Sequence, residues 1–401
     1  MNGFVVNPGA QWLHDSTGNP FYIWLSKQYP DLTFDEDHVA HGLIVTESGM
    51  KTSEFFEGLT RAFYEAQAAV KDRYPEKDLS MAALASTIRD PDAARLAKFM
   101  AREWTGIQDP ENISSDEALS DGYNPGGPQI EQGTSAAIEK MANDLKSEGV
   151  VIRTSTPVAS IEQTAGGIIL KSTDGTTFEA SAGIVTVSAG VLQKKTISFH
   201  PPPSQEVSDY VDNLVMGQMT KILIPLNKVF LDHRGIKPNT FVSVIKDDMT
   251  ILCHMRSMNA PIVTIFAGGA ASKTMEQASP DDVKIFIKSV FSQLGPYMDG
   301  YEDAMMGQPY VSKFSTNPLT YGAYSTIKPG IKRSDPILQG RLIFSGEAFV
   351  VIDEQGKDPS GTMSAAWSAG RLAAKKALAL IKPALSNQSL TLSKGKLPGP
   401  E

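Results

Sequence analysis

Apolar residues recur at spacings of three and four through EFFEGLTRAFYEAQAAV, MAALAS and DAARLAKFMAREW, within residues 52–104. That period lines one face of a helix, so this region is expected to be mostly helical, broken at Pro75 and at Asp90-Pro91. GTSAAIEKMANDLKSEGV predicts another helix, with Thr134 as N-cap and Gly149 as its stop. The pattern then changes to runs rich in Val, Ile and Thr. VVIRTSTPVASIEQ, GIILKSTDGTTFEAS and AGIVTVSAGVL read as strands, with a hairpin at Asp174-Gly175. TKILIPLNKVFL, TFVSVI, MTILCHM and PIVTIFAGG read as further strands. DDVKIFIKSVFSQLG predicts a helix, and a last long helix is expected from about Thr362 to Ile381. Residues 1–14 read as a strand and a Gly-containing loop. No internal repeat interrupts this order, which predicts an α/β plus α+β fold with a helical insert between strand regions.

Composition narrows the picture. A chain of 401 residues is long for one small core, so two or three interleaved units are expected. The net charge of -8 argues against nucleic acid as a partner. The lone Cys253 excludes an intramolecular disulfide and a thiolate metal site, and in TILCHM it reads as a small core residue. No run of 18 apolar residues predicts a membrane span. The opening MNGFVVNPGAQW lacks the basic start and apolar run of a signal peptide, so a cytoplasmic location is expected. The run DEDHVAH, Asp35 to His41, has no spacing that fixes metal ligands and reads as a solvated loop, so no metal site is expected. The tail from Ser386 is polar with Pro and Gly and is expected to be disordered.

Candidate chemistry begins near the C-terminus. RLIFSGE is an apolar strand ending in an acid, and PSGTMSAAWSAGRLAAKKAL is a helix with small residues in its first turns. The free amides and dipole of such a helix start favour an anion or an electron-rich carbonyl. A carboxylate at a strand end, Glu347, suits sugar hydroxyls. By itself a strand–loop–helix of this kind is more often plain scaffold.

Five segments in order change that. SGEA…SGTMSAAWSAGRLAA resembles the C-terminal FAD segment of the flavin-dependent amine oxidases. AGIVTVSAGVLQKKTISFHPPP resembles the strand, bend and proline run after their adenine region. MGQMTKILIPLNKVFL is similar to their lysine-bearing strand, FSTNPLTYGAYSTIKPG to the loop lining the flavin pocket, and NPGAQWLHDSTGNP to the loop passing the flavin ring. The resemblance covers roughly residues 3–380, and its specificity lies in the shared order.

The resemblance implies FAD as cofactor and an FAD/NAD(P)-binding, glutathione-reductase-like domain interleaved with a substrate domain of mixed sheet and helices. It places the FAD-binding domain at 1–30, 134–206 and 331–385, the substrate domain at 31–133 and 207–330, and the tail at 386–401. Gly9, Ala10, Gln11 and Trp12 fall on the ring-side loop, and Val158 falls where the backbone meets the adenine. Gly346 and Glu347 fall on the ribityl and pyrophosphate side, and Thr362 and Met363 open the helix aimed at the flavin's pyrimidine edge. Lys221 falls on the lysine that holds a water near flavin N5, and Phe314 and Tyr324 on aromatic pocket positions. His14 matches a histidine that some polyamine-oxidising members carry in a similar loop. Without the resemblance, Lys221 reads as an edge-strand lysine facing solvent, His14 as a surface histidine, and the two aromatics as ordinary core or surface residues.

Departures accompany the match. Phe314 stands where tryptophan is common, and Thr362 where several members place a cage tyrosine. Ser188-Ala189-Gly190 replaces the usual Pro-Leu-Gly, and Gln132-Gly133 a Gly-Gly pair. No two glycines anywhere are separated by one residue, so the family's opening G-x-G-x-x-G turn is missing. That turn and its βαβ unit would hold the FAD pyrophosphate and adenosine ribose. The implied activity is oxidation of an amine to an imine, with oxygen reduced to hydrogen peroxide and a partner chain as one source of the βαβ unit. A flavin desaturase or porphyrinogen oxidase, and a non-catalytic binding module, remain as alternatives.

Overall fold

The structure, a computed structural model, describes residues 1, 3–14, 18–35, 41–99, 102, 105–119, 127–246, 250–349 and 361–385. Most of the expected solvated loop, residues 36–40, and the expected disordered tail, 386–401, lie outside the described residues.

The first part of the chain forms α1 (Pro20–Gln28), β1 (Phe34–Asp35), β2 (His41–Thr46), β3 (Gly49–Thr52), α2 (Ser53–Arg73), α3 (Met81–Thr87), α4 (Pro91–Phe99), α5 (Ser115–Ala118) and β4 (Gln129–Ile130). The helical insert breaks where expected. Asp90 accepts hydrogen bonds from the amides of Asp92 and Ala93, and Pro91 starts α4 with its φ already helical. Next come α6 (Thr134–Ser147), β5 (Val158–Gln163), β6 (Ile168–Ser172), β7 (Thr177–Ala180), β8 (Gly183–Val185), α7 (Ala189–Lys194), β9 (Ser198–His200), α8 (Gln205–Asp212), β10 (Leu214–Met216) and β11 (Met219–Pro225). The remainder forms α9 (Lys228–His233), β12 (Thr240–Ile245), β13 (Thr250–Met255), β14 (Ile262–Gly268), α10 (Ala270–Gln277), α11 (Pro280–Gln293), α12 (Tyr301–Ala304), β15 (Tyr310–Val311), β16 (Ser325–Ile327), β17 (Ile337–Gln339), β18 (Leu342–Phe344) and α13 (Met363–Leu385).

The largest sheet runs β15-β11-β14-β13-β12-β2-β3. All its pairings are antiparallel except β12 with β2. Alternation along each strand splits it into two unlike faces. Ile222, Ile224, Val242, Val244, Cys253, Met255, Val263 and Ile265 join one apolar core with Val283, Ile287, Val290 and Phe291 of α11. Each such side chain, fully buried, contributes about 1.5–3 kcal/mol. The other face carries Lys221 opposite Phe266, and His254 opposite both Phe241 and Thr264.

A second region holds β18 between antiparallel β17 and parallel β8. α13 packs across β8 and β18. Beside it lies the sheet β7-β6-β5-β9, in which β5 and β9 are parallel. These strands share one core containing Ile161, Val185 and Phe344.

Four expectations change. Residues 1–14 form no strand among the described residues beyond a single bridge from Trp12 to Gln129, because the carbonyls there serve a side chain instead. Thr134 is not the N-cap of α6. Gly133 is, and Thr134 turns its hydroxyl to the Ala10 carbonyl at 3.0 Å. The run KVFL folds as α9, capped by Asn227. The strand expected from Val150 starts only at Val158. Residues 150–152 have no sheet neighbour among the described residues, and Val151 is 73% exposed.

Candidate active site

Residues 7–12 cross the polar face of the large sheet and meet Lys221 there. The Lys221 Nζ donates to the carbonyls of Asn7 (2.9 Å) and Gly9 (2.7 Å) and to Gln11 Oε1 (2.8 Å). It stands 5.6 Å from the Trp12 ring centroid and 5.2 Å from that of Phe266, within cation–π range. At 6% exposure it is no solvent-facing edge lysine, because β11 is flanked by β14 and β15. Burial pulls its pKa down to about 7. The three acceptors oppose that shift, since only an ammonium has three protons to fill them. The far side of the loop is pinned to α6, where the Thr134 amide donates to Asn7 Oδ1 at 2.9 Å. Ala10, beside these contacts, is exposed.

Lys221 only donates, so Gln11 must turn its oxygen to it and its Nε2 the other way. That nitrogen lies 2.8 Å from Gln129 Oε1, 3.0 Å from Ser257 Oγ and 3.2 Å from His254 Nδ1. A nitrogen donor opposite Nδ1 keeps it unprotonated and leaves the ring hydrogen on Nε2, which has no partner. His254 is fully buried, stacked 4.2 Å from Phe241. Burial, and then the Lys221 charge, push its pKa down to about 3. Sequence reasoning missed His254, Gln129, Phe241 and Phe266. Strand alternation in TILCHM could have separated His254 from the core residues Cys253 and Met255. His14 lies at the rim of the same aromatic group, 6.2 Å from Trp12 by ring centroids.

Phe314 closes the other side. A Cβ on Gly9 would sit 3.2 Å from Phe314 Cζ, so glycine lets the ring approach the loop. The Phe314 carbonyl accepts from the Gly322 amide at 3.0 Å, folding the loop back toward Tyr324. Tyr324 in turn lies against Gly361, 3.3 Å from where a Cβ would be, and Gly361 holds φ +75°. Thr362 caps α13 by accepting from the Ala365 amide at 3.1 Å. Met363 packs on the core that contains Leu13 and Phe21. The Lys221 group and the start of α13 are thus joined through the 314–324 loop and through Leu13.

Gly346 bends at φ +118° after β18. Glu347 Oε2 accepts from the Ser325 hydroxyl (2.9 Å) and amide (3.3 Å). Burial raises its pKa above the usual carboxylate range, against the pull of Arg333 and Ser325. Val158 opens β5, half-buried against the Phe344 core, and shares no hydrogen bond or ring contact with the Lys221 group.

The protein has the fold of putrescine oxidase (TM-score 0.70, 14% identity, 93% of this chain and 87% of that one) and of cyclohexylamine oxidase from Brevibacterium oxydans IH-35A (0.67, 16%, 94% and 89%). The chain belongs to the flavin-containing amine oxidoreductases, whose family model matches residues 1–378. It is 28% identical over 269 residues to lysine-specific histone demethylase 1B of Mus musculus, covering 63% of this chain and 30% of that protein. It is 27% identical over 409 residues to polyamine oxidase 5 of Oryza sativa subsp. japonica, covering 93% and 78%.

The residues present fit the ring and ribityl half of FAD. The buried hydroxyls of Ser345, at the end of β18, and Ser364, in the first turn of α13, have no partner. They flank the Gly346-Glu347 bend and the open amides of a 23-residue helix, a polar edge in need of a ligand. For the diphosphate the sequence offers no Gly-x-Gly turn. No described helix is long and apolar enough to cross a membrane.

Proposed function

We propose that this chain forms the ring-side and substrate half of an FAD-dependent amine oxidase, with Gly9, Gln11, Trp12, Lys221, Phe314 and Tyr324 around the reacting pair. The single observation that carries the reading is the buried Lys221 ammonium clamped on residues 7–11 beside Gly9 and Phe314. FAD, when bound, supplies a two-electron acceptor for the amine's α C–H and an outlet to oxygen, so that an imine and hydrogen peroxide result. Lys221 fixes the loop and keeps a positive charge next to it, which favours reduction of oxygen. Its three protons are all spent on the loop, so the expected water at Nζ requires one of those bonds to open. The amides of Met363 and Ser364, with the α13 dipole, favour negative charge on a carbonyl edge. Trp12, Phe266 and Phe314 exclude water and accept the cationic form of an alkyl amine.

The domain division given by the resemblance fits this reading, with α13, β8 and β18 on the cofactor side. The adenosine half we assign to a βαβ unit from outside these 401 residues. Support comes from the exposed Ile184 on β8, whose outer edge has no partner strand among the described residues, and from the exposed Val150, Val151 and Ile152, apolar surface that a further strand would cover. A peroxide-coupled assay on the FAD-loaded protein, with that unit fused or added, tests the function. Primary or secondary alkyl amines should react and flat aryl amines should lag, since Thr362 replaces a cage tyrosine. Lys221→Met should slow flavin reduction or reoxidation about tenfold, roughly 1.4 kcal/mol of barrier. No flavin absorbance with the unit supplied would instead favour a non-catalytic binding module.

A further inference from the structure

The loop bearing Phe314 is held by one carboxylate that the reaction does not use. Glu276, on α10, is 3% exposed and forms no ion pair among the described residues. Its Oε1 accepts from the Phe314 amide (3.0 Å), the Ser315 amide (2.9 Å) and Thr220 Oγ1 (2.8 Å). Its Oε2 accepts from the Thr316 amide and hydroxyl, both at 2.7 Å. Three successive backbone N–H groups thus converge on one anion, the arrangement of an anion-binding nest. Burial pushes this carboxyl upward, yet the bonds from Thr316, Ser315 and Thr220 outweigh it and hold its pKa below the usual value.

The same carboxylate reaches Lys221 through its neighbours. Thr220 adjoins Lys221 on β11 and shares a 2.7 Å hydrogen bond with Ser272 Oγ, which also meets Ser315 Oγ at 2.7 Å. The Lys221 amide donates to Ser312 Oγ at 2.9 Å, and the Ser312 amide returns to the Lys221 carbonyl at 2.9 Å. One buried polar cluster therefore backs both the Phe314 loop, which packs on Gly9, and the β11 residue next to Lys221. A neutral clamp would leave an N–H without an acceptor, a cost that explains a bare carboxylate here.

We propose that Glu276 is the positioning residue for the aromatic wall: it fixes the Phe314 backbone against Gly9 and thereby the aromatic surface that selects among amines. The selectivity part rests on the proposed amine oxidase reading. Glu276→Gln keeps the volume and the Oε1 side but turns N–H donors toward Thr316. Hydrogen exchange at residues 314–316 of the full chain should speed up about tenfold. In the FAD-loaded protein, the kcat/KM ratio between a bulky secondary and a small primary alkyl amine should shift about 3- to 10-fold. The shift should vanish in a Phe314→Ala background, which a general loss of stability would not do. Unchanged exchange overturns the clamp, and an amine ratio that stays at the parent value, or shifts equally without Phe314, overturns the positioning role. Should Glu276→Gln not fold, Thr316→Ala removes one bond and must move both readouts the same way. The exchange measurement needs no turnover, so a protein that oxidises no amine sinks the functional reading while exchange still decides the clamp.

Discussion

Lys221 and Arg333 both carry buried cationic side chains, and their surroundings differ. Lys221 faces two carbonyls, an amide oxygen and two aromatic rings, all neutral. Arg333 faces Glu117, whose Oε2 accepts from Nε at 2.9 Å, and also donates to the hydroxyl and carbonyl of Ser325 and the carbonyl of Ala348. Side-chain exposures of 4% and 10% make Arg333–Glu117 a buried pair rather than a surface one. Burial disfavours charge at both sites, but at Arg333 Glu117 reverses the outcome and raises the pKa. At Lys221 no anion opposes desolvation, and the pKa falls to about 7. A paired charge is locked, and it ties α5 to the Ser325–Glu347 corner as scaffold. An unpaired one is poised to change protonation near neutral pH, which suits a reacting site.

The largest effect should come from breaking the locked pair. Arg333→Met leaves Glu117 and Glu347 buried without their cation and should cost about 3–5 kcal/mol, read from the urea midpoint. A loss under about 1 kcal/mol would mean that the pair is effectively solvated. The unpaired cation should act through pH. An unfolded lysine keeps its proton to about pH 10.5, whereas burial on folding pulls the Lys221 pKa toward about 7, against its three acceptors. The unfolded state therefore binds more protons in that window, and stability must rise with pH there. The parent should gain about 1 kcal/mol between pH 7 and pH 8, and Lys221→Met should lack that gain. Equal slopes would show that the three acceptors hold the proton on and that the two cations are more alike than their partners suggest. At pH 7 the smallest effect concerns His254. Its folded pKa of about 3 lies below the ordinary 6.5, so stability should fall as pH drops from 6.5 toward 3. His254→Phe keeps the stack on Phe241, removes the unpartnered Nε2, and should cost less than about 1 kcal/mol at pH 7. Melting temperatures at pH 7 and pH 5 should show a shallower acid limb in the variant.

Much of this was legible in the chain. Four strands of the large sheet, β11 to β14, follow from their Val, Ile and Thr content, and the breaks near Pro75 and Asp90-Pro91 from local backbone chemistry, whereas β2, β3 and β15 were not read as strands. MTKIL identified the strand of Lys221, and GTM identified the start of α13. These are local properties, set by a residue and its neighbours within a turn or two. What lay outside that reach came from neighbours distant in sequence. Lys221 is buried because residues 7–12 cross the sheet face above it and the Trp12 and Phe266 rings flank it. Thr134 gave up its capping role because the Ala10 carbonyl stands beside it, and Val150–Ile152 form no strand because no strand of the described residues lies alongside. His254, Gln129 and Glu276 gain their places only when β13, β4 and α10 converge on the 7–12 and 314–316 loops. Periodicity says which residues share a face. It does not say what that face meets, because burial and hydrogen-bond partners depend on chain segments hundreds of positions apart, and those only tertiary packing brings together.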